Sequence, residues 1–178
     1  MAAMVGPGAA GTAYIPGLAD FVPMVKEVGS MALGGPALVR AMTGEDISEQ
    51  DLGGSKVHST KSGVGDAEYK NDGECIAAVK RYLSFFPSSC EDDPPRLPVT
   101  DPIERREESL LDLLPENSRR AYDMYKLIAA VVDDGEWLDL KPRWARAIIT
   151  CLARIGGDRK STRLNSSHLS VSRMPSSA

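Results

Sequence analysis

Residues 87–101 hold Pro87, Pro94, Pro95 and Pro98 among the acids Glu91, Asp92, Asp93 and Asp101, and no other stretch constrains the fold as much. Proline lacks a backbone N–H and fixes φ, so neither a helix nor a central strand can run through this segment. The apolar side chains must therefore be buried in two stretches, one on each side of an extended linker. A length of 178 residues suits one domain or parts of two.

Before the linker, a short apolar piece leads into the glycine-rich turn Gly6-Pro7-Gly8-Ala9-Ala10-Gly11, then into Thr12-Ala13-Tyr14-Ile15. Small residues there predict that something approaches the main chain closely. Residues 21–25 and 31–33 are apolar runs of strand length. Pro36 at a first helical position and Gly44 past the last turn bracket a short helix. Ser48 can cap another, stopped by Gly53-Gly54. Asn71 or Asp72 can cap a longer helix, ended by Pro87, whose apolar face is predicted to be Ile76, Val79, Leu83 and Phe86. After the linker come a capped start at Asp101-Pro102, a cluster of Leu110, Leu111, Leu113 and Leu114, and a helix over 118–131. Its buried face is either Tyr122, Tyr125, Ile128 and Val132, or Leu127 and Val131. Residues 137–140 and 147–155 are predicted strands. Helices alternating with short strands indicate an α/β layered fold.

The net charge of −4 leaves no basic excess for counterion-driven binding, so nucleic acid is not an expected partner. The uncharged residues 1–19 contain Gly6, Gly8, Gly11, Gly17, Pro7 and Pro16 and lack a leading base, so neither a membrane span nor a signal peptide is expected. Cys75, Cys90 and Cys151 are odd in number and fit neither a disulfide framework nor a metal-ligand spacing; they are expected to be reduced thiols. Residues 158–178 lack apolar periodicity. Residues 158–168 can be encoded by a widely used sequencing-library adapter, and 172–178 by the same adapter beyond its index, so this tail is expected to be non-biological. It holds Arg159, Lys160, Arg163 and Arg173 against Asp158, so the rest of the chain is more acidic than the total. The run Ala147-Ile148-Ile149-Thr150-Cys151-Leu152-Ala153-Arg154-Ile155 before Gly156-Gly157 calls for a partner strand, as though the chain were cut within a sheet.

Few residues qualify for chemistry. A backbone N–H can be aimed at a ligand oxygen only where no bulky side chain intervenes, which singles out the successive amides of Ala10 and Gly11; a plain tight turn explains the same glycines. No Gly-Lys-[Ser/Thr] follows at P-loop spacing, and Gly53-Gly54-Ser55-Lys56 fails the same test. His58 has no Cys or carboxylate at ligand spacing and is expected to hydrogen-bond structurally. Asp133-Asp134 and Glu91-Asp92-Asp93 are expected to be solvated. Arg105-Arg106 and Arg119-Arg120 have Glu104, Glu107, Glu108 and Glu116 nearby as salt-bridge partners, and Trp137 and Trp144 are expected in the core.

Taken in order, GPGAAGTAYIP, SMALGGPALVRAMTGEDISEQDLGGSKVHSTKSGV, NDGECIAAVKRYLSFFP and ENSRRAYDMYKLIAAVVDDGEWLDLKPRWARAIITCLARIGG resemble the carboxyltransferase (beta) subunit of biotin-dependent acyl-CoA carboxylases. The propionyl-CoA carboxylase type is the nearest likeness, and it spans about residues 3–157. The resemblance implies a crotonase-like α/β fold, the ββα spiral. Residues 1–87 would be the C-terminal part of a first domain, 88–101 the linker, 102–157 the opening of a second domain, and 158–178 the non-native tail.

The activity implied is transfer of a carboxyl group from carboxybiotin, carried on a partner, to the α-carbon of an acyl-CoA, with propionyl-CoA ahead of acetyl-CoA. The resemblance places a backbone oxyanion hole for the acyl-CoA enolate on Ala10 and Gly11. Many members have Gly-Gly there, so Ala10 is a departure that serves only if its dihedrals do not require φ > 0. A second hole, toward biotin, would lie beyond Gly157, which leaves the fragment itself inactive. A biotin carboxylase/biotin carrier (alpha) subunit, a hexameric homo-oligomer, no metal, and a cytoplasmic location (mitochondrial matrix if eukaryotic) complete the implied picture. Two other readings stand beside it: a biotin-dependent acyl-CoA decarboxylase subunit, and a shortened chain that only binds CoA ester or carboxylase subunits.

Overall fold

The computed structural model describes residues 1–100, 102, 104–113, 115, 122–157 and 171–172. They fall into two compact units, one made of Met1–Leu83 with Lys141–Ala145, the other of Ser84–Leu140 with Arg146–Ala178.

In the first unit β1 (Pro7–Ala9) leads into α1 (Gly11–Gly17), followed by β2 (Pro23–Val25) and β3 (Ser30–Ala32). Next come α2 (Pro36–Thr43), α3 (Glu49–Gly53), α4 (Ser55–Val57) and a π-helical turn (His58–Ser62), then β4 (Ala67–Tyr69) and α5 (Asp72–Leu83). Alternate strands go to different sheets: β1 pairs with β3 and β2 with β4, both in parallel. Parallel neighbours need a crossover between them, which is why a helix or long excursion separates each pair in sequence. β2 is buried along its length, and Val22, Met24 and Met31 with Met4 and Ala13 form the core. Phe21 stacks on Tyr82 of α5 with centroids 4.4 Å apart.

The expected caps are found. Pro36 opens α2, Gly44 closes it at φ 77°, and Ser48 Oγ accepts from the Asp51 N–H at the start of α3. Asn71 Oδ1 accepts from the Glu74 N–H at the start of α5. α3 ends at Gly53-Gly54 as expected, with Gly54 in extended backbone between it and the separate α4 that starts at Ser55. The apolar face of α5 differs from expectation. Ile76 and Leu83 are exposed, whereas Cys75 and Ala78 are buried. α5 lies against β2 and β4, and small side chains let the helix approach the sheet closely where Ile and Leu would hold it off.

The loop between β5 (Trp137–Leu140) and β6 (Ile148–Ala153) supplies a strap to the first unit. Lys141 Nζ lies 3.2 Å from Oδ1 of the buried Asp66 and donates to the Gly63 carbonyl at 2.5 Å. Asp66 Oδ2 in turn accepts from the Val22 N–H at 2.7 Å. Arg143 pairs with Glu68, and Trp144 lies where a Cβ on Gly63 would be. Both ends of the strap have non-glycine residues at positive φ, Lys141 at 55° and Ala145 at 48°.

The second unit contains α6 (Ser109–Leu113), α7 (Met124–Val131), a 3-10 turn (Asp133–Gly135), β5, β6 and β7 (Val171–Ser172). Antiparallel β5 and β6 carry Leu138 opposite Leu152 and Asp139 opposite Cys151. β5 pairs with residues 150–153 of β6, and on its other edge β6 pairs through Ile148 and Ile149 with the two residues of β7. Met124, Ile128, Val132, Ile149 and Cys151 form the core, with Tyr125 and Trp137 packed against it. Tyr122 is exposed, so the buried face of α7 starts at Met124. α6 buries no residue, and Leu111 is 81% exposed. Among the described residues no helix or strand lies between α5 and α6. Asp101, Leu114, Glu116, the helix start expected at 118–121 with Arg119-Arg120, and the tail apart from 171–172 lie outside the described residues.

Candidate active site

The glycine-rich turn joins the end of β1 to the start of α1. Ala10 adopts φ 49° and ψ −121°, so the condition that its dihedrals stay out of positive φ is not met. This conformation suits glycine; on an L residue Cβ is crowded by the backbone, at a cost of about 1–3 kcal/mol. The Ala10 N–H continues the parallel ladder by donating to the Ala32 carbonyl at 3.1 Å. The Gly11 N–H makes no hydrogen bond to any described residue, and no atom beyond its chain neighbours and the backbone of α1 lies within 4 Å of the position a Cβ on Gly11 would take. Of the two amides singled out in the sequence, one is thus engaged with β3 and the other is open to approach. Gly8, two residues before Ala10, serves packing instead: a Cβ there would meet Met4 Cε at 2.8 Å.

Thr12, which sequence reasoning passed over, holds the turn. Its Oγ1 accepts from the Ala9 N–H at 2.9 Å and donates to the Ala9 carbonyl at 2.7 Å. The Ala13 N–H closes the turn onto the Ala10 carbonyl at 3.0 Å.

Around β3 and β4 the polar side chains are committed to one another. His58 Nε2 lies 2.8 Å from the Met31 carbonyl, to which it donates, and Nδ1 lies 2.8 Å from Ser62 Oγ, so both ring nitrogens are engaged in a structural role. Ser30 donates to Glu49, and Ser55 Oγ donates to Glu68 Oε1 at 2.6 Å. Asp66 and Glu68 carry their cations from the strap. These carboxylates were not singled out because their partners lie far along the chain, beyond any local pattern.

In the second unit Asp133 is not solvated as expected: its two carboxylate oxygens each accept, at 2.7 Å, from the N–H groups of Gly156 and Gly157. Thr100 Oγ1 donates to Asp134 Oδ1 at 2.5 Å, and Arg105 reaches the Ala130 carbonyl at 2.6 Å. Trp137 is half-buried against Tyr125, whereas Trp144 is 38% exposed. The cysteines are free thiols, Cys90 exposed and the other two buried. Burial, with Asp72 adding to it, pushes the Cys75 thiol up; burial, with Asp139 adding to it, pushes Cys151 up to about 11. A thiol that resists ionisation is a poor nucleophile. Among the described residues no group of three His, Cys, Asp or Glu could hold a metal ion, and no helix is long and apolar enough to cross a membrane.

Residues 1–160 match the model of the carboxyl transferase domain family. The chain is 43% identical over 154 residues to the methylmalonyl-CoA decarboxylase subunit alpha of Veillonella parvula, covering 86% of this chain and 30% of that protein. It is 38% identical over 154 residues to the propionyl-CoA carboxylase beta chain of Roseobacter denitrificans, with the same coverage of 86% and 30%. The chain therefore spans about 30% of the length of these curated relatives. A solved structure of transcarboxylase 12S, described as a hexamer assembly with hydrolysed methylmalonyl-coenzyme A bound, superposes with a TM-score of 0.82 at 30% identity, over 88% of this chain and 31% of that one. This likeness agrees with the crotonase-like α/β fold expected from the sequence.

Proposed function

As the chain belongs to the carboxyl transferase domain family, we propose that its parent protein performs the carboxyltransferase half-reaction of a biotin-dependent acyl-CoA carboxylase, with propionyl-CoA as acceptor ahead of acetyl-CoA. The observation that carries this reading is the unengaged Gly11 amide, at a turn where a Cβ built on Gly11 would meet no atom beyond its chain neighbours and the backbone of α1. When the α-carbon of a thioester loses its proton, charge moves to the thioester oxygen, and a preorganised N–H aimed at that oxygen lowers the barrier. Ala10 contributes by shaping the turn, its own N–H being held by Ala32. Carboxybiotin, borne by an alpha-type partner, supplies the carboxyl group and takes up the α-proton. What this chain offers fits the acyl-CoA side of that exchange, where one backbone donor and free space are what a thioester oxygen requires.

The remaining parts of the reading are proposed with it: residues 1–87 and 102–157 as pieces of two domains joined by 88–101, a non-native tail at 158–178, a hexameric parent and a cytoplasmic location (mitochondrial matrix if eukaryotic). The 43% identity to a decarboxylase subunit favours a second reading, in which the parent removes the carboxyl group of methylmalonyl-CoA. The same enolate forms in that direction, so the same amide serves. Assays of the full-length protein with its biotin-bearing partner separate the two: ATP-dependent incorporation of labelled bicarbonate into propionyl-CoA against loss of carbon dioxide from methylmalonyl-CoA. Gly11→Leu should lower turnover in the productive direction about a hundredfold, near 3 kcal/mol of transition-state stabilisation, with assembly intact. Turnover unaffected by that change would overturn the assignment of the amide.

A further inference from the structure

We infer that Thr12 is a positioning residue: its hydroxyl locks the strained turn at Ala10 and so fixes the direction of the Gly11 N–H. The inference rests on the proposed role of that amide.

Ala10 lies in a region that an L residue occupies only when its surroundings over-determine it. Four hydrogen bonds do so here. One runs from the Ala10 N–H to Ala32, one from the Ala13 N–H to the Ala10 carbonyl, and the other two come from the single hydroxyl of Thr12. Within residues 8–13 Thr12 has the only polar side chain, so no neighbour can replace it. The hydroxyl is not spent on the usual task of a helix start. A capping residue stands before the helix and reaches forward to amides of the first turn. Thr12 stands inside α1 and reaches back to Ala9, and α1 has no side-chain cap. Both peptide groups flanking Ala9 are thereby tied to the side chain that follows Gly11. With the strand side held by β3 and the helix side by Thr12, the peptide between Ala10 and Gly11 is left one orientation.

The test uses the full-length protein with its biotin-bearing partner, in whichever direction it turns over, and compares Thr12→Val, Thr12→Ser and Thr12→Ala. Loss of a positioning bond acts on the transition state more than on ground-state binding. Thr12→Val should lower kcat about ten- to a hundredfold with KM for the acyl-CoA changed less than about threefold, and Thr12→Ser should restore most of kcat. If Thr12→Val does not fold, the contrast between Thr12→Ser and Thr12→Ala isolates the hydroxyl and should show the same split. A lower unfolding midpoint with kcat per folded enzyme unchanged would reduce Thr12 to a structural residue and overturn the inference. Equal losses of kcat in the Ser and Ala variants would overturn it too. Gly11→Leu separates this failure from that of the underlying reading: an active Gly11→Leu enzyme removes the amide's role, whereas an inactive one beside a fully active Thr12→Val enzyme removes only that of Thr12.

Discussion

With φ 49° and ψ −121°, Ala10 occupies backbone space that glycine enters freely. Ala10→Gly removes the crowding of Cβ but adds freedom to the unfolded chain, worth about 0.5–1 kcal/mol, so a net gain in unfolding free energy of about 1 kcal/mol is expected. Denaturant titration checks it, and a loss of stability would show that the turn is not strained. The glycine-rich run announced a close approach to the main chain in sequence, yet which amide stays free was not legible there. That depends on the register of β1 against β3, which joins residues more than twenty positions apart. Cys151 gives a second prediction. Its folded thiol stands at about 11, above the unfolded value near 8.5, so between these values the folded state binds more protons. The contribution of Cys151 to stability should therefore be constant below about pH 8.5 and fall as pH rises toward 11, and Cys151→Ala should remove that part of the decline in alkaline unfolding curves.

Among the elements, short strands and capped helices were readable because their signals are local: Pro36 and Gly44 around α2, Ser48 before α3, Asn71 before α5. The buried face of α5 was not, since ranking positions by hydrophobicity favours Ile76 and Leu83, whereas close packing on β2 and β4 selects Cys75 and Ala78. The strap was equally hidden, because Lys141 and Asp66 lie far apart in the chain. Asp66 has a side chain only 3% exposed, so removing its cation leaves a buried charge. Lys141→Met should cost about 2 kcal/mol, below the value for a fully buried pair because Lys141 is one-third exposed. The double variant with Asp66→Asn should recover part of that loss. A Lys141→Met protein that unfolds at the wild-type midpoint would show the pair to be immaterial.

At the level of the molecule, the sequence led us to expect a linker between two packable stretches, and the structure adds that the first unit is assembled from two separate parts of the chain. No composition shift marks residues 141–145 as belonging with residues 1–83, for their membership rests on Asp66, Glu68 and Gly63. The strap therefore sets a timetable for synthesis. A ribosome adds about 5–20 residues per second, so roughly 3–12 s separate the emergence of Leu83 from that of Lys141. Through that interval the four strands described for the first unit have been made while Asp66 awaits its cation, and the nascent chain passes through a stage at which residues 1–83 can pack with a buried charge still unpaired.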